Sequence, residues 1–340
     1  MSRTTLKDVA VQAGVSYQTV SKVLNNQASV TPETEARIRQ AIEALNYTPN
    51  VSARNLRTQS SNLIGYAWRQ TSDGTPHPVL DRFLYSAAQV VEAHGYHLLT
   101  FLIGEESSAL DVTPYQELYA RRQVEGFILA DTNHNDARIA YLMAQGIPFA
   151  CFGQANPEWD YCWVDVDGRS GMTTVVNHLV ARGHRRIALI TWPEGSRAGN
   201  DREQGYLRGL QTAGIPFDSA WLVRGENAVQ TGVNAISRLM ALPDGQRPTA
   251  VACVSDQIAI GVLYGAGAAG GLQVGSDIAI TGYDDAPMAE FLHPPLTSVR
   301  QPIAAVGQQV IELLLKQING DEIEEKGILL APELIVRESS

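Results

Sequence analysis

The sequence predicts a mixed α/β protein: a small all-α helix-turn-helix head, then a two-lobed core of parallel sheets with flanking helices. Three observations carry this. Residues 1–60 read as short capped helices with no strand among them. From Leu63 onward, apolar runs alternate with helical periodicity: LIGYAW, 79–94, HLLTFLI, 114–123, GFILA, 136–145 and PFACFG. Such alternation implies parallel sheets covered by helices. The cycle restarts at 168–182 with RIALITW, 200–213, WLVRG, 229–241, AVACVS, 256–269 and IAITGYDD. That is more than one doubly wound sheet needs, so two similar lobes with a cleft between them are expected.

The head is read element by element. Thr5-Leu6-Lys7-Asp8 has the form of a capping box, with Asp in the Glu position. Leu6, Val9, Ala10 and Ala13 follow at helical spacing, and Gly14 ends that helix in a left-handed cap. Ser16 opens a second helix with Val20, Val23 and Leu24 on its inner face. Thr31-Pro32 opens a third, where the missing N–H of proline is harmless, and Ile38, Ala41, Ile42 and Leu45 form its stripe. Asn46 is its stop. Asn50 is a further candidate cap for a short segment over 51–57, and 58–62 is a polar linker. A helix that short is marginal in water by itself. The tail, KGILLAPELIVRESS, reads as closing strands.

The chain has 340 residues, three cysteines and a net charge of −10. No apolar run approaches the length that spans a bilayer, and MSRTTLKDVA holds no secretory core, so a cytoplasmic protein is expected. Cys151, Cys162 and Cys253 are far apart, so they read as reduced core thiols, with no metal site or cofactor called for. The charge is uneven. Residues 1–60 hold seven Lys/Arg against four Asp/Glu, a net of +3, so the rest carries −13. A basic head on an acidic body suggests that only the head meets a polyanion.

Helices one and two are joined by a turn of about three residues containing Gly14, the helix-turn-helix pattern. On the second helix, Tyr17, Gln18, Ser21, Lys22 and Asn25 share one face at 3.6 residues per turn. A solvated helix face has the same look. Yet each of these side chains donates hydrogen bonds. Gln pairs with adenine, and Lys reaches the acceptors of guanine.

TLKDVAVQAGVSYQTVSKVLNN, followed by VTPETEARI and LNYTPNVSARNLRTQSSNLIG, resembles the lactose-repressor (LacI) family of bacterial transcription regulators. GHRRIALI, SDQIAIG, IAITGYDD and PPLTSVRQP are further landmarks, so the likeness runs along essentially the whole chain. It implies a regulator, most simply a repressor, whose operator affinity is set by a sugar or sugar derivative. The alternative within the family is a nucleobase or other corepressor. It also implies a homodimer on double-stranded, pseudo-palindromic operator DNA and a core similar to periplasmic sugar-binding proteins. The expected divisions are a head at 1–49, a hinge and linker at 50–61, and a core at 62–340. Within the core, one lobe would take about 62–162 plus 293–320, and the other about 163–292 plus 321–340.

The resemblance also implies roles. Tyr17, Gln18 and Lys22 would read base edges, although relatives often carry Arg where Lys22 stands. Thr5, Leu6, Ser16, Thr19, Ser21, Asn25, Thr31 and Thr34 would hold phosphates. Asn50, Ala53, Arg54, Leu56 and Arg57 would form a hinge in the minor groove, with Leu56 as a wedge. Phe152, Arg202, Ser255, Asp284 and Gln301 would bind the effector. Two aromatic positions of the family are absent here, where the chain has His77-Pro78-Val79-Leu80 and Asn227. Trp68, Trp159, Trp163 and Trp192 are candidate substitutes for stacking or ordinary packing residues.

A different class, an NAD-dependent enzyme, would rest on Gly265, Gly267 and Gly270, which fit GxGxxG. A dinucleotide site needs those glycines directly after a strand. Here helical residues 256–264 intervene, so small residues for helix packing are the preferred reading, and the chain reads as no enzyme.

Overall fold

The computed structural model describes residues 4–24, 30–47, 60–69, 77–103 and 112–340, with the side chains of 69 and 268–270 excepted. Asn25 and the hinge candidates Asn50, Ala53, Arg54, Leu56 and Arg57 lie outside the described residues. The chain divides into two units, Met1–Ser61 and Asn62–Ser340.

The first unit holds α1 (Leu6–Ala13), α2 (Tyr17–Leu24) and α3 (Pro32–Ala44). Each starts on the cap read from the sequence. The Thr5 hydroxyl accepts from Asp8 N–H while Asp8 accepts from Thr5 N–H at 2.8 Å. The Thr5 hydroxyl also donates to Asp8 Oδ2 at 2.7 Å, and this bond first, then the one from Thr5 N–H, holds the exposed Asp8 carboxyl below its ordinary pKa. The Thr19 N–H donates to Ser16 Oγ at 3.1 Å, and the Thr34 N–H to Thr31 Oγ1 at 3.3 Å. Gly14 ends α1 at φ 64°, where a Cβ would be strained. Val9, Ala13, Val20, Ile38, Ala41 and Tyr47 close a small core.

The second unit is built on two six-stranded sheets. In chain order its elements begin β1 (Leu63–Arg69), α4 (Pro78–Ala93), β2 (His97–Ile103), α5 (Thr113–Ala120), β3 (Gly126–Leu129), α6 (Ala137–Gln145), β4 (Phe149–Phe152) and β5 (Cys162–Val166). Next come α7 (Gly168–Ala181), β6 (Ile187–Thr191), α8 (Arg197–Thr212), β7 (Leu222–Arg224), α9 (Val229–Met240), β8 (Ala250–Cys253), α10 (Asp256–Gly270) and β9 (Ala279–Asp284). The chain closes with β10 (Thr297–Arg300), α11 (Ile303–Asn319), β11 (Gly327–Leu330) and β12 (Glu333–Ile335).

The first sheet runs β11-β5-β4-β3-β1-β2 and the second β12-β10-β9-β8-β6-β7. Pairing is parallel except between β10 and β12. In each sheet the opening strand sits between the next two, so the winding reverses there. Open sheets of this kind place ligands beyond the carboxyl ends of their strands at that reversal.

The lobe boundaries differ from the sequence expectation. β5 pairs with β4, Ala150 opposite Cys162, and so belongs to the first lobe. β10 pairs with β9 in the second. The tail splits, with β11 returning to the first lobe and β12 to the second. The chain therefore crosses between lobes three times. A strand's partner depends on register with a distant segment, which local patterning does not encode. The 17-residue helix α11 also goes beyond the alternation read from the sequence. It covers the first sheet, with Val306, Val310, Ile311 and Leu314 fully buried.

Gly265 and Gly267 lie inside α10, after several helical turns, rather than at a strand-to-helix turn. α10 packs against α9 so closely that a Cβ on Gly261 would stand 1.9 Å from the Val229 carbonyl oxygen. One on Gly265 would stand 2.5 Å from Ile236 Cγ2. The glycine run is a helix-packing device at this point of the fold. The thiols of Cys151, Cys162 and Cys253 are buried, which raises their pKa values. Among the described residues, no helix is long and apolar enough to cross a membrane.

Candidate ligand cleft and recognition helix

α2 turns Val20 inward and leaves Tyr17 half exposed, at 51%. Gln18 and Lys22 on the same side are exposed as well. Three large polar-tipped side chains thus stand free on the first turns of the second helix of a helix-turn-helix. The candidate phosphate ligands are placed around it. Thr5, Ser16 and Thr31 are exposed at helix starts with their hydroxyls engaged as caps. Thr19, Ser21 and Thr34 are half-buried. Leu6 packs partly against the head core, which leaves its backbone N–H as the group at the start of α1.

In the second unit, both sheets turn their carboxyl ends to one cleft. Asp131 and Thr132 follow β3, Phe152 ends β4 and Val166 ends β5 on one side. Trp192 follows β6, Asp284 ends β9 and Gln301 follows β10 on the other. α8 adds Arg197 and Arg202 from the second lobe.

Arg202 is the most constrained of these. It is 7% exposed, with its guanidinium carbon 3.8 Å above the Tyr283 ring centroid and 4.9 Å from that of Trp192. Its Nη1 donates to the Val254 carbonyl and lies 3.8 Å from Asp284 Oδ1. Gln301 Nε2 donates to the same Asp284 oxygen at 2.7 Å. Burial raises the Asp284 pKa, and the positive Arg202 opposes that rise. Phe152 lies half-buried in the wall, tilted against Phe83 at 5.1 Å.

Four of the five expected effector residues, Phe152, Arg202, Asp284 and Gln301, therefore meet in the cleft. Ser255 stands behind it, fully buried as the N-cap of α10. Its hydroxyl donates to Asn227 Oδ1 at 2.6 Å, and Asn227 lines the cleft instead. Of the four tryptophans weighed as stacking residues, only Trp192 lines the cleft; Trp159 and Trp163 pack on the first lobe's core.

Sequence reading missed a second arginine. Arg197 Nη2 pairs with Asp165 Oδ2 at 2.8 Å, and Nη1 pairs with Asp201 at 3.0 Å. Asp165 lies on β5 and Arg197 on α8, so this pair joins the lobes inside the cleft. Asn133 adds two bonds across the same gap, to Gly195 O at 2.8 Å and from Arg197 N–H at 3.0 Å. A signal was present: Arg197 opens a helix, where the dipole disfavours a cation, and Asp165 interrupts a strand of otherwise apolar or half-buried residues. The Trp192 Nε1 and Arg197 Nε donors are buried and have no hydrogen-bond partner among the described residues.

A helix-turn-helix head, with a separate body whose two sheets share a polar cleft, is the build of a ligand-responsive DNA-binding regulator. Residues 5–50 match the family described as bacterial regulatory proteins, lacI family, and residues 176–340 match a periplasmic binding protein-like domain. A regulatory protein of the LacI family from Chloroflexus aggregans is 45% identical, covering 82% of this chain and 98% of its own, with a TM-score of 0.78. The transcriptional regulator CelR in complex with cellobiose is 30% identical over 99% of this chain and 100% of its own, at 0.74. The lac repressor dimer bound to operator and the anti-inducer ONPF is 27% identical over 99% of both chains, at 0.87. The chain belongs to the lacI family of bacterial regulatory proteins. It is a DNA-binding transcriptional regulator, and the proteins it resembles are regulators rather than enzymes.

Proposed function

We propose that this chain is a repressor whose operator affinity is set by a sugar or sugar derivative bound in the cleft. The observation that carries the reading is the fixed Arg202–Asp284–Gln301 group set beside Trp192 and Phe152. Sugar hydroxyls need oriented donors and acceptors, and the C–H face of a sugar needs an apolar or aromatic wall. CelR, a relative of this chain, was solved with cellobiose.

In this reading Tyr17, Gln18 and Lys22 enter the major groove and Thr5, Leu6, Ser16, Thr19, Ser21, Asn25, Thr31 and Thr34 hold phosphates. Asn50, Ala53, Arg54, Leu56 and Arg57 act as a hinge in the minor groove. The head spans 1–49 and the hinge with its linker 50–61. One head buries little surface, so two heads of a dimer read a pseudo-palindrome.

The test is calorimetric titration of the full chain with glucose, galactose, cellobiose, glucuronate and hypoxanthine, with operator affinity measured beside each. A carbohydrate that binds and changes operator affinity, in a manner lost in Arg202→Ala, supports the proposal. Binding of hypoxanthine alone replaces it with the nucleobase alternative, and binding of none of the sugars removes the sugar reading.

A further inference from the structure

Behind the cleft lies a buried carboxyl that the proposed site does not use. Asp256 is the first residue of α10, 3% exposed, and is not part of the cleft lining. Its Oδ1 accepts from the Ser298 hydroxyl at 2.5 Å, and its Oδ2 accepts from the Ala286 N–H at 2.7 Å. Ser298, itself fully buried on β10, accepts in turn from the Asp285 N–H at 3.0 Å. Two side chains from two different elements thus fasten two successive backbone amides.

Those amides follow Asp284 directly. Asp284 has φ 116° and Asp285 has φ 45°, both in the left-handed half of backbone space that non-glycine residues seldom occupy. Such conformations persist where the surroundings over-determine them. The Asp285 carboxylate is held separately, by Arg300 at 2.7 Å and Arg337 at 2.7 Å. Those contacts hold its side chain. Among the side chains whose bonds are described, Asp256 and Ser298 are the ones that fasten the amides beside Asp284.

We infer that Asp256, with Ser298, is a positioning residue for effector binding: it holds the 284–286 turn so that the Asp284 carboxylate stays beside Gln301 and Arg202 in the cleft. This rests on the reading that Asp284 binds the effector. Asn in place of Asp256 retains an oxygen for the Ala286 N–H and turns its own N–H to Ser298 Oγ, which then accepts from both that new amide and the Asp285 N–H; the Ser298 hydroxyl proton loses its acceptor, but both amides of the turn keep theirs. Ala removes both bonds.

The experiment uses the full chain in two arms. Without ligand, amide hydrogen exchange at Asp285 and Ala286 quickens about tenfold or more in Asp256→Ala, the order that a lost buried hydrogen bond produces, and stays within about threefold in Asp256→Asn. With the tightest-binding sugar of the panel above, Asp256→Ala weakens binding about tenfold and Asp256→Asn largely restores it. In an Asp284→Asn background the Ala substitution adds less than about twofold, because its route to the ligand is already gone. Ser298→Ala shows the same pattern at smaller size and serves if Asp256→Ala does not fold.

Unchanged amide exchange or unchanged sugar affinity in a folded variant overturns the inference. A full further loss in the Asp284→Asn background does so as well. If Asp284→Asn alone leaves sugar affinity intact, the site reading is what fails, and the exchange arm still decides what Asp256 holds.

Discussion

A guanidinium that is 7% exposed must find its partners inside the protein, and Arg202 finds two aromatic faces, a backbone carbonyl and the edge of a carboxylate. A planar, delocalised cation suits that slot, whereas a lysine ammonium is a hydrated point charge. Arg202→Lys should therefore weaken sugar binding at least about tenfold, with operator binding in the absence of sugar unchanged. Titration and fluorescence anisotropy on labelled operator check the two halves. At the other unit, Gln18 is exposed and tied to no core, so Gln18→Ala should leave the melting temperature of the head unmoved. It should cost about 1–3 kcal/mol of discrimination at one base pair, read by competition between operator variants. Equal loss on all sequences would make Gln18 a backbone contact.

At the scale of the element, α9 and α10 test what the glycine run does. Gly261→Ala places a Cβ against the Val229 carbonyl, so the helices must separate, at a cost of about 3 kcal/mol. Gly267→Ala meets nothing within 4 Å and replaces a poor helix former, so it should stabilise by about 0.5–1 kcal/mol. Urea unfolding midpoints of the two variants should move in opposite directions. Both glycines belong to one apolar helix, and only the neighbouring helix separates them in effect. The caps were legible in advance because Thr5, Ser16 and Thr31 act within three residues of themselves. Helix α11 was equally legible in principle, since Val306, Val310 and Leu314 recur at helical spacing.

Across the whole second unit, the lobes are tied at the cleft by Arg197–Asp165 and by Asn133. An effector shifts a two-state protein only by the difference in its affinity for the two states. Contacts that exist only with the lobes together set that balance before any ligand arrives. Asp165→Asn keeps the shape and removes the ion pair, so small-angle scattering should show a larger radius of gyration in the free protein. Sugar affinity should fall about tenfold, as the closed form becomes less populated. An unchanged radius together with unchanged affinity would limit the pair to local packing.

The sequence alone determined the parts of this protein that depend on near neighbours. The capped helices of the head, the outward face of Tyr17, Gln18 and Lys22, and the alternation of strand and helix all follow from residues a few positions apart, where 3.6- and 2-residue periods operate. It also carried the motifs that place the chain in its family, and with them Arg202, Asp284 and Gln301. Only the tertiary structure decided which strands pair, that β5, β10 and β11 exchange lobes, and that Asn227 rather than Ser255 meets the cleft. It alone brought Asp165 to Arg197 and Asp256 to Ala286, pairs separated by about thirty residues of chain. The physical reason is range: capping and amphipathicity are energies between adjacent turns, whereas strand register and buried polar pairing depend on where the whole chain has already gone.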